Sequence, residues 1–108
     1  MAIALPKVRA SLFAALGDDT RLRLVARLSG QGPMSITRLT SGSKVTRQAI
    51  SKHLRVMERS GLVLSSRHGR ERRWRLNAQR LADARSYLDQ ISRQWDAAFD
   101  RLRSVVED

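Results

Sequence analysis

Residues 46–63, TRQAISKHLRVMERSGLV, admit few local structures. Ile50, Leu54 and Met57 recur at helical spacing and make one apolar stripe, and Thr46 stands where an N-cap hydroxyl is wanted. Gly61 stops the helix, and the apolar run Leu62, Val63, Leu64 follows at once. Arg47, Gln48, Ser51, Lys52 and Arg55 fall on the other side of the same helix. A short helix anchored to a core by one face, with basic and amide side chains on the other, has the build of a helix that enters the major groove of a duplex.

Charge supports that partner. The chain of 108 residues carries a formal charge of +11 and a pI near 11.7. Residues 38–75 hold eleven Lys and Arg against two acids, Glu58 and Glu71, so this stretch alone supplies +9. A cationic membrane-surface helix would keep its basic residues on one amphipathic face, whereas here they spread over a helix, a turn and a hairpin, which favours double-stranded DNA. The length suits one domain, residues 1–108, with a modest core that partnering would help. Cysteine is absent, which removes disulfides, thiolate metal sites and thiol redox sensing. No run approaches the roughly 18 apolar residues of a bilayer span, and the stretch MAIALPKVRA is too short in apolar residues for a secretory segment. These features place the protein in the cytoplasm with no membrane partner.

Leu5, Val8, Leu12 and Leu16 predict a first helix over residues 5–17, with Pro6 tolerated in its first turn. Asp18, Asp19 and Thr20 offer an N-cap to a second helix that turns Leu22, Leu24, Val25 and Leu28 inward. SGQGP, residues 29–33, breaks the chain, and a short third helix over residues 35–40 presents Ile36 and Leu39. SGSK, residues 41–44, turns into the helix capped by Thr46, so residues 35–60 form a helix-turn-helix. Residues 62–77 then make two strand-like runs around His68, Gly69 and Arg70, with Trp74 and Leu76 alternating inward. The expected fold is mainly α with a small β-hairpin, a winged helix-turn-helix whose wing carries Arg67, His68, Arg70 and Arg72 toward a duplex backbone or minor groove.

From residue 78 to 106 the apolar positions are Leu81, Ala84, Leu88, Ile91, Trp95, Ala98, Leu102 and Val105, alternating three and four apart. This is the seam of a helix that packs along another helix. Unbroken, it would run about 40 Å, more than a domain of this size covers. A second copy of the chain is the expected cover; the alternative is a break near Ser92 that folds the end back. Paired reading heads on a two-fold axis also match the DNA-binding pattern.

With these pieces in order, the chain resembles the ArsR (arsenical-resistance repressor) family of bacterial winged-helix regulators. The resemblance rests on LFAALGDDTRLRLVARL at 12–28, Ile36 and Leu39, SKHL at 51–54, SGLV at 60–63 and HGRERRWRL at 68–76. The tail, with Tyr87, Leu88, Trp95 and Leu102, is similar to a metal-independent branch. The resemblance implies a homodimeric repressor. Its interface would lie on the first and last helices, here Leu5, Val8 and Leu12 with Leu88, Ile91, Trp95, Ala98 and Leu102. Its DNA contacts would be Thr46, Arg47, Gln48, Ser51 and Lys52 on the reading helix and Arg70 with its neighbours on the wing. Founding members sense metals through cysteines in the third helix or Asp and His pairs in the last. Here the third helix is SITRLT and the last helix has no histidine, so DNA binding carries over and metal sensing does not. No cofactor is implied, and an effector, small molecule or protein, stays open.

Arginine can bridge guanine O6 and N7, and glutamine adenine N6 and N7, which makes Arg47 and Gln48 the base-reading candidates; their plain alternative is a solvated helix end. Ser51 and Lys52 suit phosphates. His53, beside the apolar stripe, is expected to pack and bond a backbone group, a lone imidazole being no metal site. Ser51 and His53, two apart on a helix, point to different sides, and no nucleophile elbow, phosphate loop or HExxH is present, so no enzyme activity is expected. Trp95 is expected to anchor the interface. The rival reading is a nucleoid-type architectural protein that coats DNA with little sequence preference, since the same basic stretch would serve it.

Overall fold

The computed structural model describes residues 7–107. In chain order they form α1 (Lys7–Leu16), α2 (Asp19–Gln31), β1 (Met34–Ser35), α3 (Ile36–Thr40), α4 (Arg47–Arg59), β2 (Val63–His68), β3 (Glu71–Leu76) and α5 (Ala78–Glu107). The fold is a winged helix-turn-helix, mainly helical with a small antiparallel sheet in the order β1-β3-β2.

Caps fix the helix ends. Asp18 accepts from the Arg21 N–H, Ser35 from the Arg38 N–H and Thr46 from the Ala49 N–H, so each helix of the domain's centre starts on a side-chain oxygen. At the end of α4, Gly61 adopts φ 80° while its N–H and that of Leu62 close on the carbonyls of Glu58 and Met57. A Cβ there would be strained by that backbone and would stand 3.0 Å from Arg80 Nε. The chain thus leaves α4 directly into β2.

The core gathers Leu12 and Ala15 of α1, Leu24 and Leu28 of α2, Leu39 of α3, Ile50, Leu54 and Met57 of α4, Leu62, Val63 and Trp74 of the wing, and Ala84 of α5. Three expectations are corrected. Leu22 is 51% exposed, because it sits about 200° round the helix from Leu24 and cannot share its face. α2 does not stop at Ser29 but runs to Gln31, ending at Gly32, whose N–H bonds the Leu28 carbonyl. Just after the segment read as a break, Met34 and Ser35, the latter read as the start of the third helix, form β1, pairing Trp74 and Arg73; two residues are too few to show alternation.

α5 is continuous through Ser92. Thirty residues make a rod of about 45 Å. α1 packs against its beginning, where the Phe13 and Tyr87 rings lie 5.4 Å apart. The remainder projects, which is why the molecule measures 66 × 28 × 20 Å. Leu88, Trp95, Phe99, Leu102, Val105 and Val106 are all exposed along that projection.

Candidate nucleic-acid interface

Thr46 sets the start of α4. Its hydroxyl is engaged as the cap, 3.1 Å from the Ala49 N–H, so its part at an interface is to aim the helix. Arg47, Gln48, Lys52 and Arg55 are exposed and Ser51 half-buried, and together these five line one shallow depression on α4. The apolar stripe opposite them is fully buried at Ile50, Leu54 and Met57, which fixes the rotation of the helix about its axis.

The hairpin register decides which wing cations share this side. Val63↔Leu76, Ser65↔Trp74 and Arg67↔Arg72 are cross-strand pairs on the face that contacts the core, while Leu64↔Arg75, Ser66↔Arg73 and His68↔Glu71 lie on the other. Arg67 and Arg72 are therefore directly opposed like charges near the tip, an arrangement that costs stability unless an anion lies over it. Arg47 and Ser51 of α4 line a common groove with His68, Arg70 and Arg72 of the wing and with Thr37 of α3. Eight of the ten expected DNA-facing residues thus divide between the α4 depression and this groove, with Arg47 and Ser51 in both; Thr46 lines neither and caps the helix, and Arg67 lies outside both, across the strand pair from Arg72.

The two acids of the basic stretch offset only part of this charge, although Glu71 lines the groove itself. Glu71 pairs with Arg73 at 3.3 Å, on the outer face of the wing. Glu58, at the end of α4, accepts from the Ser65 hydroxyl at 2.8 Å, and that oxygen accepts in turn from Arg72 Nη1 at 2.8 Å. The chain Glu58, Ser65, Arg72 ties wing to helix and orients one cation. Among the described residues the side chains of Gln48, Lys52, Arg55, Arg67 and Arg70 form no hydrogen bond or ion pair, and Arg47 makes one long bond of 3.5 Å to Thr37 Oγ1. Sequence reasoning missed Ser65, Glu58 and Thr37. Only the strand register, which pairs Ser65 with buried Trp74, could have pointed to the first of them.

His53 corrects a further expectation. It bonds a side chain instead of a backbone group: Nδ1 lies 3.2 Å from Arg21 Nη1 and 3.8 Å from Asp18 Oδ2. Arginine only donates, so Nδ1 is the acceptor in the Arg21 contact. Arg21 Nε also donates to the Ala15 carbonyl at 2.6 Å, so one guanidinium joins the end of α1, the start of α2 and the middle of α4. The Arg21 N–H bond holds the Asp18 carboxyl below its ordinary 3.8 against an opposing effect of burial, with smaller help from the charges of His53 and Arg21.

The expected partner-facing residues divide. Leu5 lies outside the described residues, and only the backbone of Val8 is described, within α1. Leu12 is 1% exposed and belongs to the protomer's own core, leaving no surface for another chain. Leu88, Trp95 and Leu102 are exposed, and Ile91 and Ala98 are half-buried. Phe99, absent from the expected seam, joins them: its ring lies 5.7 Å from that of Trp95. Among the described residues no three His, Cys, Asp or Glu side chains group to hold a metal, and no helix is long and apolar enough to cross a membrane.

A buried-stripe helix with a basic outer face, joined to a basic wing, defines a winged helix-turn-helix protein of the DNA-binding class. Comparison with known proteins agrees. A helix-turn-helix domain family matches residues 16–65. Over 95 residues the chain is 33% identical to the HTH-type transcriptional regulator Rv2034 of Mycobacterium tuberculosis, covering 88% of this chain and 85% of that protein. It is 30% identical to the arsenical resistance operon repressor of Escherichia coli, covering 88% and 79%. The solved ArsR-like transcriptional regulator from Rhodococcus sp. RHA1 superposes with a TM-score of 0.77 at 35% identity, with 92% of each chain covered. The chain belongs to the ArsR family and is a DNA-binding transcriptional regulator.

Proposed function

We propose that this protein is a homodimeric, sequence-specific repressor that occupies an inverted-repeat operator, with Arg47 and Gln48 of α4 on base edges and Ser51, Lys52, Arg55 and the wing residues Arg67, His68, Arg70 and Arg72 on the backbone. The observation that carries it is the pairing of two unsatisfied surfaces on one chain. One is the α4 and wing face, where Lys52, Arg55, Arg67 and Arg70 have no partner among the described residues; the other is the apolar projection of α5, which lacks a cover. An exposed apolar patch of this extent marks an interaction surface, and a two-fold pair of α5 helices would set two copies of α4 about one helical turn of DNA or a small multiple apart. The repressing direction draws on the relative named as an operon repressor.

Selection of bound duplexes from a random library tests this, followed by titration of the selected duplex and a scrambled control at two salt concentrations. The expected result is an enriched inverted repeat, bound at least about a thousandfold better than the control, with both affinities falling steeply with salt. Equal binding of both duplexes, equally weakened by salt, would establish the architectural reading in its place.

A further inference from the structure

One groove lies apart from the DNA face. It runs between α2 and the turn joining α3 to α4, with a volume of about 520 Å³, in the range of small-molecule sites. Leu24, Leu39 and Ile50 form its floor with half-buried Val45, and Lys44, Arg23 and the Ser43 hydroxyl stand at its rim. We infer that this groove binds an organic monoanion with an apolar body, a small aliphatic or aromatic carboxylate, and that the bound anion opposes operator binding.

The charges around the groove specify the ligand's charge. Arg23 is paired with Asp19 at 3.0 Å. Arg27 is turned to the end of α3, donating to the carbonyls of Leu39 at 2.8 Å and Arg38 at 3.0 Å. Lys44 is the rim cation that, among the described residues, has no side-chain partner. Ser43 Oγ accepts from the Val45 N–H at 3.0 Å, which leaves its own proton free to donate outward. One uncompensated cation beside one free donor suits a single negative group, and the aliphatic floor suits a tail that water does not hold. A multiply charged anion without an apolar part would leave that floor unused.

The groove's place in the fold gives the effect its sign. Lys44 and Ser43 precede Thr46, the cap that starts α4, by two and three residues. Gly42, at φ 73°, gives the same turn its bend. An anion held there neutralises a cation at the start of the reading helix and draws the turn toward α2, so it works against an approaching phosphate. The opposing effect on DNA rests on the repressor reading proposed above; the binding does not.

The test uses the full chain, isotopically labelled, titrated with octanoate while backbone amide resonances are followed. Octanol serves as the neutral control and inorganic phosphate as the charged one. Saturable shifts are expected at Thr20, Leu24 and residues 41–45, with octanoate binding about fivefold more tightly than octanol, the ratio a single exposed ion pair supports, and more tightly than phosphate, which has no tail for the apolar floor. Lys44→Glu is expected to abolish that advantage, with unchanged core resonances at Trp74 and Leu54 showing that the variant folds. Thr20→Lys, which crowds the same groove with a second exposed cation, checks against a folding artefact by strengthening octanoate binding. Octanoate no tighter than octanol or phosphate, or shifts confined to α5, would overturn the site. Octanoate in the groove with unaltered affinity for the selected duplex would overturn the opposing role alone. A library that yields no operator tells against the proposed function only, because the titration contains no DNA.

Discussion

Replacing Trp95 with alanine tests whether the projecting part of α5 holds two chains together. Trp95 is 59% exposed in one protomer, and Phe99, its ring tilted against that of Trp95, 52%. An aromatic side chain buries at most about 250 Å², so covering the exposed share removes about 150 Å² from water in each protomer. At about 25 cal/mol per Å² that is nearly 4 kcal/mol per ring, and a two-fold interface contains two rings. Alanine keeps part of the contact and the partner partly closes over the gap, so the net loss should be about 4 kcal/mol per dimer, a thousandfold in dissociation constant. The helix itself should survive, alanine being the best helix former. Sedimentation equilibrium over a range of concentrations reads the dissociation constant. The other tryptophan, Trp74, is buried in the wing and reports by its fluorescence that the variant is folded. A folded Trp95→Ala protein that dimerises as tightly as the parent would refute the assignment and return α5 to a contact with some other helix.

Four shorter expectations follow from the same structure. Arg47→Ala should lose discrimination at one base pair in each half-site by about 1 to 3 kcal/mol in competition titrations, whereas an equal loss on every sequence would make Arg47 a phosphate contact. Arg70→Ala should weaken binding alike on all duplexes and lower the salt slope by about one per wing, which titration across salt concentrations measures; an unchanged slope would remove Arg70 from the backbone contact. Leu54→Ala, at a site with no exposure, should cost about 2 to 5 kcal/mol, seen as a lower urea midpoint at constant slope and protein concentration. Asp18 has a folded pKa below its ordinary 3.8, so its ionised form stabilises the protein above that value, and the contribution is lost as pH falls through the lower folded value. Asp18→Asn should therefore show a stability deficit at neutral pH that shrinks in acid; a deficit independent of pH would show that the carboxylate's charge contributes nothing.

The parts legible in the sequence were those specified by neighbours along the chain. Thr46, the stripe Ile50, Leu54 and Met57, and Gly61 act within about one turn of each other, so spacing alone located α4. The wing was legible for the same reason: a glycine-containing tip between two alternating runs leaves one register in which Trp74 turns inward. Leu22 was misplaced because α2 holds more leucines than one face can take, and only the presence of α4 and β3 against α2 decides which face is inner. Leu12 met the spacing rule for either a core or an interface, and its burial beneath the protomer's own helices decided for the core.

What spacing could not show is how the reading helix is held relative to the rest of the chain. His53 and Arg21 are 32 residues apart and meet only because α1, α2 and α4 pack together. Glu58, Ser65 and Arg72 come from three elements and form one chain of hydrogen bonds. The two networks act at opposite ends of the same function. Arg21 links the middle of α4 to the end of α1, which lies against α5 and its unpartnered stripe, while Glu58 links the end of α4 to the wing. The apolar stripe of α4 sets its rotation, and these two ties restrain its tilt at the middle and at the far end. The start, at Thr46, is held by its cap, by the turn through Gly42 and Lys44, by the burial of Ile50 and by the long Arg47 bond to Thr37 of α3. Arg47 and Gln48, the residues proposed to face bases, thus stand at the end of the helix that neither of these two ties reaches, beside the turn whose groove is proposed to hold a small anion.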